Sequence, residues 1–133
     1  MSLSARNSLN ITLWVLQVLL AVAFFAHGWI FLFPSPAMAE LMKQIPYAFR
    51  IFLGVAEVLA AIGLTLPGLT RIQPWWVPCA AAGLMIVMIA ATILHITRGE
   101  VSAAVTTAVL LLLATFVAYM RWKVMPILPR TVA

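Results

Sequence analysis

The sequence has very few charged residues. Of its 133 residues only 8% are charged, whereas 65% are hydrophobic and the mean hydropathy is +1.14. A soluble domain has about 25% charged residues, so the composition indicates one integral membrane domain covering residues 1–133. The net charge of +5 comes from basic residues at the ends of apolar runs, a placement typical of membrane topology and not of nucleic-acid binding.

The chain also lacks the residues that most membrane enzymes use. Cys79 is the only cysteine, so an internal disulfide and a C-x-x-C redox pair are excluded. We find no nucleophile–base arrangement, no glycine-rich phosphate loop and no metal-binding motif in the sequence. These absences favour a chain that has no intrinsic cofactor and no catalytic activity on its own.

Four apolar runs are each long enough to cross ~30 Å of hydrocarbon as a helix. In lipid a helix satisfies its own backbone hydrogen bonds, which a lone strand cannot do. Because the connections are short, the predicted fold is all-α, an up-down bundle of four transmembrane helices. The predicted spans are residues 11–33, 47–67, 75–97 and 101–120. The first run is too long for a cleavable signal, and Pro67 with Gly68 is expected to end the second helix.

Lysine and arginine predict the orientation of the bundle, because cytoplasmic loops are enriched in them. One side of the membrane would have Arg6, Arg71, Arg121, Lys123 and Arg130, and the other would have Lys43, Arg98 and Arg50. We therefore expect both termini in the cytoplasm, with the chain in a bacterial-type plasma (inner) membrane.

The longest connection, residues 34–46, then faces outward. Its centre, "AMAELMKQI", places methionine, leucine and isoleucine on one helical face and Glu40, Lys43 and Gln44 elsewhere. This pattern predicts a short amphipathic helix on the outer surface, and a polar loop with apolar anchors is the alternative.

Glu57 lies in the middle of the second run, about 15 Å deep. A charged carboxylate without a partner is costly there, so it should face the interior of the bundle. Arg50, Gly54 and Glu57 follow the spacing i, i+4, i+7 and share one stripe of the helix. From the other helices, His27 is the expected partner and His95 is expected to close the outer mouth. The sequence thus predicts a polar cluster in the outer half of the bundle.

Two main interpretations of this cluster stay open, with contact to a partner protein as a third. It is a site for a ligand, a proton or a quinone, or it is a buried network that only fixes the helix register. Metal binding is disfavoured because Glu57 lies about 12 Å deeper than His95. A bis-histidine haem would need His27 and His95 to face each other, and nothing else in the sequence favours haem.

The segment "RIFLGVAEVLAAIGLTLPGLTR" resembles the second-helix signature of the DoxX-like family, and "AATILHITRGE" is similar to the end of that family's third helix. The residues that carry the resemblance are Arg50, Gly54, Glu57, Gly63, Leu64, Pro67, His95 and Gly99. The family often has a lysine soon after the glycine that ends its first helix. Here Gly28 is followed by "WIFLF", so any role of that lysine does not transfer.

The resemblance implies a four-helix membrane bundle. It also implies a connection to redox enzymes, because some relatives are subunits of quinone-linked oxidoreductases, including thiosulfate-oxidising ones. Many other relatives have no established activity. We therefore expect an accessory subunit of a larger membrane complex, with quinone as the one candidate ligand. The partners expected are lipids and other membrane subunits or a second copy of the chain. The alternatives are a purely structural or assembly subunit and a small binder or transporter of an apolar molecule.

Overall fold

The computed structural model describes residues 1–131, and most of these residues are helical. These residues form five α-helices and no strand. The helices are α1 (Leu3–Leu32), α2 (Pro36–Leu41), α3 (Tyr47–Thr70), α4 (Trp76–Thr97) and α5 (Val101–Tyr119), and a π-helical turn, Met120–Val124, continues α5. Within the described residues, four segments are long and apolar enough to cross a membrane: α1, α3, α4, and α5 with its π-helical turn. The predicted all-α bundle of four membrane helices is therefore confirmed.

The helices pack as consecutive antiparallel neighbours. α1 lies along α3, α3 along α4, and α4 along α5. Mainly leucines and alanines fill the interior, and the largest side chains in this core are Leu20, Phe24, Leu64, Leu84 and Met88. Large apolar side chains such as Phe52, Ile86 and Leu112 are exposed on the outside of the bundle. An outward apolar surface of this kind is what lipid requires.

α1 begins at Leu3, well before the predicted start at residue 11. Ser2 caps the helix, since its hydroxyl oxygen accepts a hydrogen bond from the amide of Ala5 at 3.2 Å. Residues 3–8 are exposed and partly polar. Hydropathy therefore could not identify this first stretch of helix, whose signal lies in the cap.

α3 does not end at Pro67, as the sequence predicted, but continues to Thr70. Proline removes one backbone donor from the helix, yet tertiary packing holds the chain in helical form on both sides of it. Leu64 is fully buried, and Gly68 packs against Trp14 of α1 and Ile127 of the C-terminal tail. The helix ends where Arg71 adopts a left-handed conformation with φ of 58°.

The first connection contains the short helix that the sequence predicted. α2 begins after Ser35, whose hydroxyl oxygen accepts a hydrogen bond from the amide of Met38. Met42, directly after the helix, is buried, and this anchors the connection to the end of the bundle. The side of the membrane that α2 faces rests on the predicted orientation.

Candidate functional site

Glu57 and His27 form a hydrogen-bonded pair between α3 and α1. The Glu57 Oε2 and His27 Nδ1 atoms are 2.6 Å apart. The Glu57 side chain is only 3% exposed, whereas the His27 side chain is 55% exposed. The pair therefore connects a buried carboxylate to the outer surface of the bundle, in the segment that crosses the membrane.

Two glycines allow α1 and α3 to approach closely enough for this contact. A Cβ on Gly28 would lie 2.8 Å from the Gly54 carbonyl oxygen and 3.1 Å from the Glu57 Cβ. A Cβ on Gly54 would lie 3.0 Å from the Gly28 carbonyl oxygen. Neither position has room for a side chain, so the backbones touch here as small residues permit in membrane bundles. Gly54 thus belongs to the site as the residue that sets the helix spacing.

The donor and the acceptor in this hydrogen bond depend on the charge of Glu57. When Glu57 is ionised, its carboxylate accepts from the Nδ1–H of His27, and Nε2 is left as the second ring nitrogen. The imidazole also lies against the Phe31 ring, with the ring centroids 4.6 Å apart. The arrangement presents one polar, proton-carrying group on an apolar and aromatic surface, backed by a buried acid.

The structure does not bring Arg50 to Glu57. Arg50 Nη1 instead donates a hydrogen bond of 2.8 Å to the Phe31 carbonyl oxygen, and its guanidinium lies 5.2 Å from the centre of the Tyr47 ring. Phe31 is in the last turn of α1, where carbonyl groups have no helical partner. The side chain of Arg50 therefore donates to a free carbonyl group at the end of α1, while His27 is the hydrogen-bond partner of Glu57.

His95 also lies apart from the Glu57 pair. It contacts Glu100 across the tight turn between α4 and α5, where Gly99 has a φ of +71°. Its expected role in closing the mouth of the site does not fit this contact. Nowhere in residues 1–131 do three His, Cys, Asp or Glu side chains come together in a way that could hold a metal ion.

A second buried polar group, which the sequence did not predict, lies at the opposite end of the bundle. Arg121 is 3% exposed. Its Nε donates to Gln17 Oε1 at 2.6 Å, and its Nη1 donates to Asn10 Oδ1 at 2.8 Å and to the Met125 carbonyl at 3.1 Å. Gln17 Nε2 in turn donates to the Leu64 carbonyl at 2.7 Å. This network ties together α1, α3 and the end of α5.

The sequence pattern predicts Arg121 only as one of the basic residues on the cytoplasmic side. The π-helical turn places it inward instead, where its guanidinium also lies 5.5 Å from the centre of the Trp14 ring. All its hydrogen-bond acceptors are neutral oxygens. Gln17, a lone amide within an apolar run, was the one signal that a buried polar partner was needed.

Fold and site together define an integral membrane protein of four spanning helices, with a buried glutamate paired to a histidine between the first two. The chain belongs to the DoxX-like family, whose sequence profile matches residues 15–117, more than half of its length. The predicted family is therefore confirmed. Comparison with curated proteins and with solved structures gives no match.

Proposed function

We propose that the chain is an accessory subunit of a larger redox assembly in a bacterial-type plasma membrane, where the pair of His27 and Glu57 exchanges protons with a quinone in the lipid phase. The family resemblance supports a quinone link, because some DoxX-like relatives are subunits of quinone-linked oxidoreductases. The chain itself supplies no electron carrier in this proposal, so the redox centre belongs to a partner subunit.

The observation that carries the proposal is the difference in exposure across one hydrogen bond. Glu57 is 3% exposed and His27 is 55% exposed, with 2.6 Å between their bonded atoms. An ionisable residue within a membrane is costly and is by default a functional hypothesis. A pair that served packing alone would gain nothing from exposing its histidine on the lipid-facing surface.

The two side chains fit the proton chemistry of a quinone. A bound quinone would supply a two-electron, two-proton redox couple, with the electrons provided by the partner subunit. In its protonated form His27 would offer the Nε2 proton to a carbonyl oxygen in the lipid phase, one proton at a time, and water at the membrane surface would supply the proton that restores it. Glu57 accepts the Nδ1 hydrogen bond and stabilises the imidazolium that forms when His27 is reprotonated. The Phe31 ring beside His27 offers an aromatic surface for a planar ligand.

A packing role is the competing function, and the glycine crossing favours it. Gly28 and Gly54 place the backbones of α1 and α3 in contact directly beside the pair. A hydrogen bond at that crossing also fixes the helix register. The two functions predict different results for Glu57→Gln in an assembled complex. Proton exchange predicts a loss of turnover, whereas a packing role predicts unchanged turnover.

The test is the quinone-dependent turnover of the native assembly, purified through a tag on this chain and checked for its redox subunit by mass spectrometry. Glu57→Gln should lower turnover at least about tenfold at unchanged subunit stoichiometry, since positioned acid–base groups contribute that much or more. Glu100→Gln, which removes a carboxylate at the turn between α4 and α5, is the matched control and should leave turnover intact. Full turnover of assembled Glu57→Gln, or purification without any redox partner, would overturn the proposal.

A further inference from the structure

A cavity of about 360 Å³ lies at the end of the bundle where α1 ends and α3 begins. Its walls come from the first connection and the first turn of α3. The polar side chains in the lining are Lys43, Tyr47 and Arg50, and the remaining lining residues are apolar or proline. The cavity thus combines an apolar wall with two cations.

Arg50 has no acidic side chain as its partner. The chain has three acidic residues in total, and each is engaged elsewhere: Glu40 with Lys43, Glu57 with His27, and Glu100 with His95. Because Lys43 is already paired with Glu40 at 2.6 Å, Arg50 provides the net positive charge of the cavity.

Two contacts hold the Arg50 guanidinium in place. Nη1 donates to the Phe31 carbonyl at 2.8 Å, and the group lies 5.2 Å from the centre of the Tyr47 ring. Only one of its five N–H groups is needed for the Phe31 bond. α3 begins at Tyr47 without a side-chain cap, so its free backbone amides and positive dipole end add to the positive potential at the same wall.

From this geometry we infer that the cavity binds a phosphate group, carried by an anionic lipid headgroup or by a free phosphate ion. A guanidinium presents paired donors that match phosphate oxygens. Arg50 lies about 5 Å from the start of α3, which is the depth of the interface where headgroups reside. The apolar side chains of Met42 and Ile45 line the same cavity and suit the glycerol and first methylenes of a lipid.

This site is separate from the pair of Glu57 and His27. Arg50 and Glu57 are two helical turns apart, about 10 Å along the axis of α3. Phe31 contacts both sites, Arg50 through its carbonyl oxygen and His27 through its ring. Phosphate binding and quinone-dependent turnover are separate measurements, so each proposal can fail without the other.

The experiment measures binding to the full-length protein in a neutral detergent. One arm titrates inorganic phosphate and follows the unfolding temperature, and the other adds phosphatidylglycerol, with phosphatidylcholine as its neutral reference, and counts bound lipid by native mass spectrometry. Arg50→Gln should weaken binding about tenfold. Arg98→Gln, an exposed arginine at the end of α4 on the same end of the bundle, should bind as the wild type does.

A second variant guards against a folding defect in Arg50→Gln, because Arg50 also satisfies the end of α1. Ala39→Phe fills the cavity without altering charge and should abolish the same binding. If the protein binds inorganic phosphate but not phosphatidylglycerol, the ligand is a free anion. If it binds phosphatidylglycerol, with or without phosphate, the ligand is a lipid headgroup. Both results support the site. Absence of binding in both arms, or equal binding by wild type, Arg50→Gln and Ala39→Phe, would overturn it.

Discussion

Gly28 of α1 packs against the backbone of Gly54 in α3, so closely that a Cβ on Gly28 would lie 2.8 Å from the Gly54 carbonyl oxygen. This contact sets the distance between the two helices at the depth of Glu57. A short carboxylate can reach His27 on the neighbouring helix only because the two backbones meet here. The geometry of the candidate site therefore depends on two residues that have no side chain.

Substitution of either glycine by alanine should destabilise the bundle. Gly28→Ala and Gly54→Ala each force a methyl group into occupied space, and overpacking of this kind costs about 1–3 kcal/mol. Gly83→Ala is the control, because no atom lies within 4 Å of a Cβ at Gly83, and it should be neutral or stabilising by up to about 1 kcal/mol. The free energy of unfolding in mixed micelles measures all three. An equal effect at all three positions would contradict the close crossing.

We expect Arg121 to contribute to the free energy of unfolding and not only to the orientation of the chain in the membrane. Arg121→Gln removes the guanidinium that donates both to the buried Gln17 oxygen and to the half-buried Asn10 oxygen, a loss of about 1–3 kcal/mol in the free energy of unfolding. Arg121→Lys should not restore the wild-type value, since a lysine lacks the planar guanidinium whose Nε and Nη1 donate to separate acceptors. Lys123→Gln removes the same charge from an exposed neighbour and should change stability by less than about 0.5 kcal/mol. If Lys123→Gln destabilises as much as Arg121→Gln, the network contributes nothing beyond charge.

The predicted orientation places both termini in the cytoplasm, and thiol labelling can check it. In a Cys79→Ala background, Gln44→Cys in the first connection should react with a membrane-impermeant maleimide in intact spheroplasts. Ser2→Cys should react only after lysis. The distribution of basic residues predicts this pattern, and the reverse pattern would place the first connection in the cytoplasm.

The membrane helices could be predicted from the sequence because lipid demands long apolar runs, and the family could be predicted because Arg50, Gly54 and Glu57 form a specific pattern. The hydrogen-bond partners of the polar side chains could not be predicted in the same way. Spacing along α3 placed Arg50 and Glu57 on one stripe, but a nearer acceptor at the end of α1 engages Arg50 instead. Likewise, the depth of His95 gave no warning that Glu100, just beyond a tight turn, would bind it.

Hydropathy also could not anticipate features that depend on tertiary packing. Pro67 is a reliable helix breaker in isolation, yet Leu64 and Gly68 are buried on both sides of it and the helix continues. Arg121 stands at the end of an apolar run, as a topology signal would, and only the π-helical turn directs it into the bundle. In both places the surrounding packing overrides the local signal.

The central claim is that His27, backed by Glu57, meets a quinone at the lipid-facing surface. The most direct measurement is photocrosslinking of the native assembly with a photoreactive quinone analogue, followed by mass spectrometric mapping of the labelled peptide. The account predicts label on α1 around His27 and Phe31, lost in His27→Gln and Glu57→Gln and retained in His95→Gln. Label confined to another surface of the chain, or label at α1 that survives both substitutions unchanged, would contradict it.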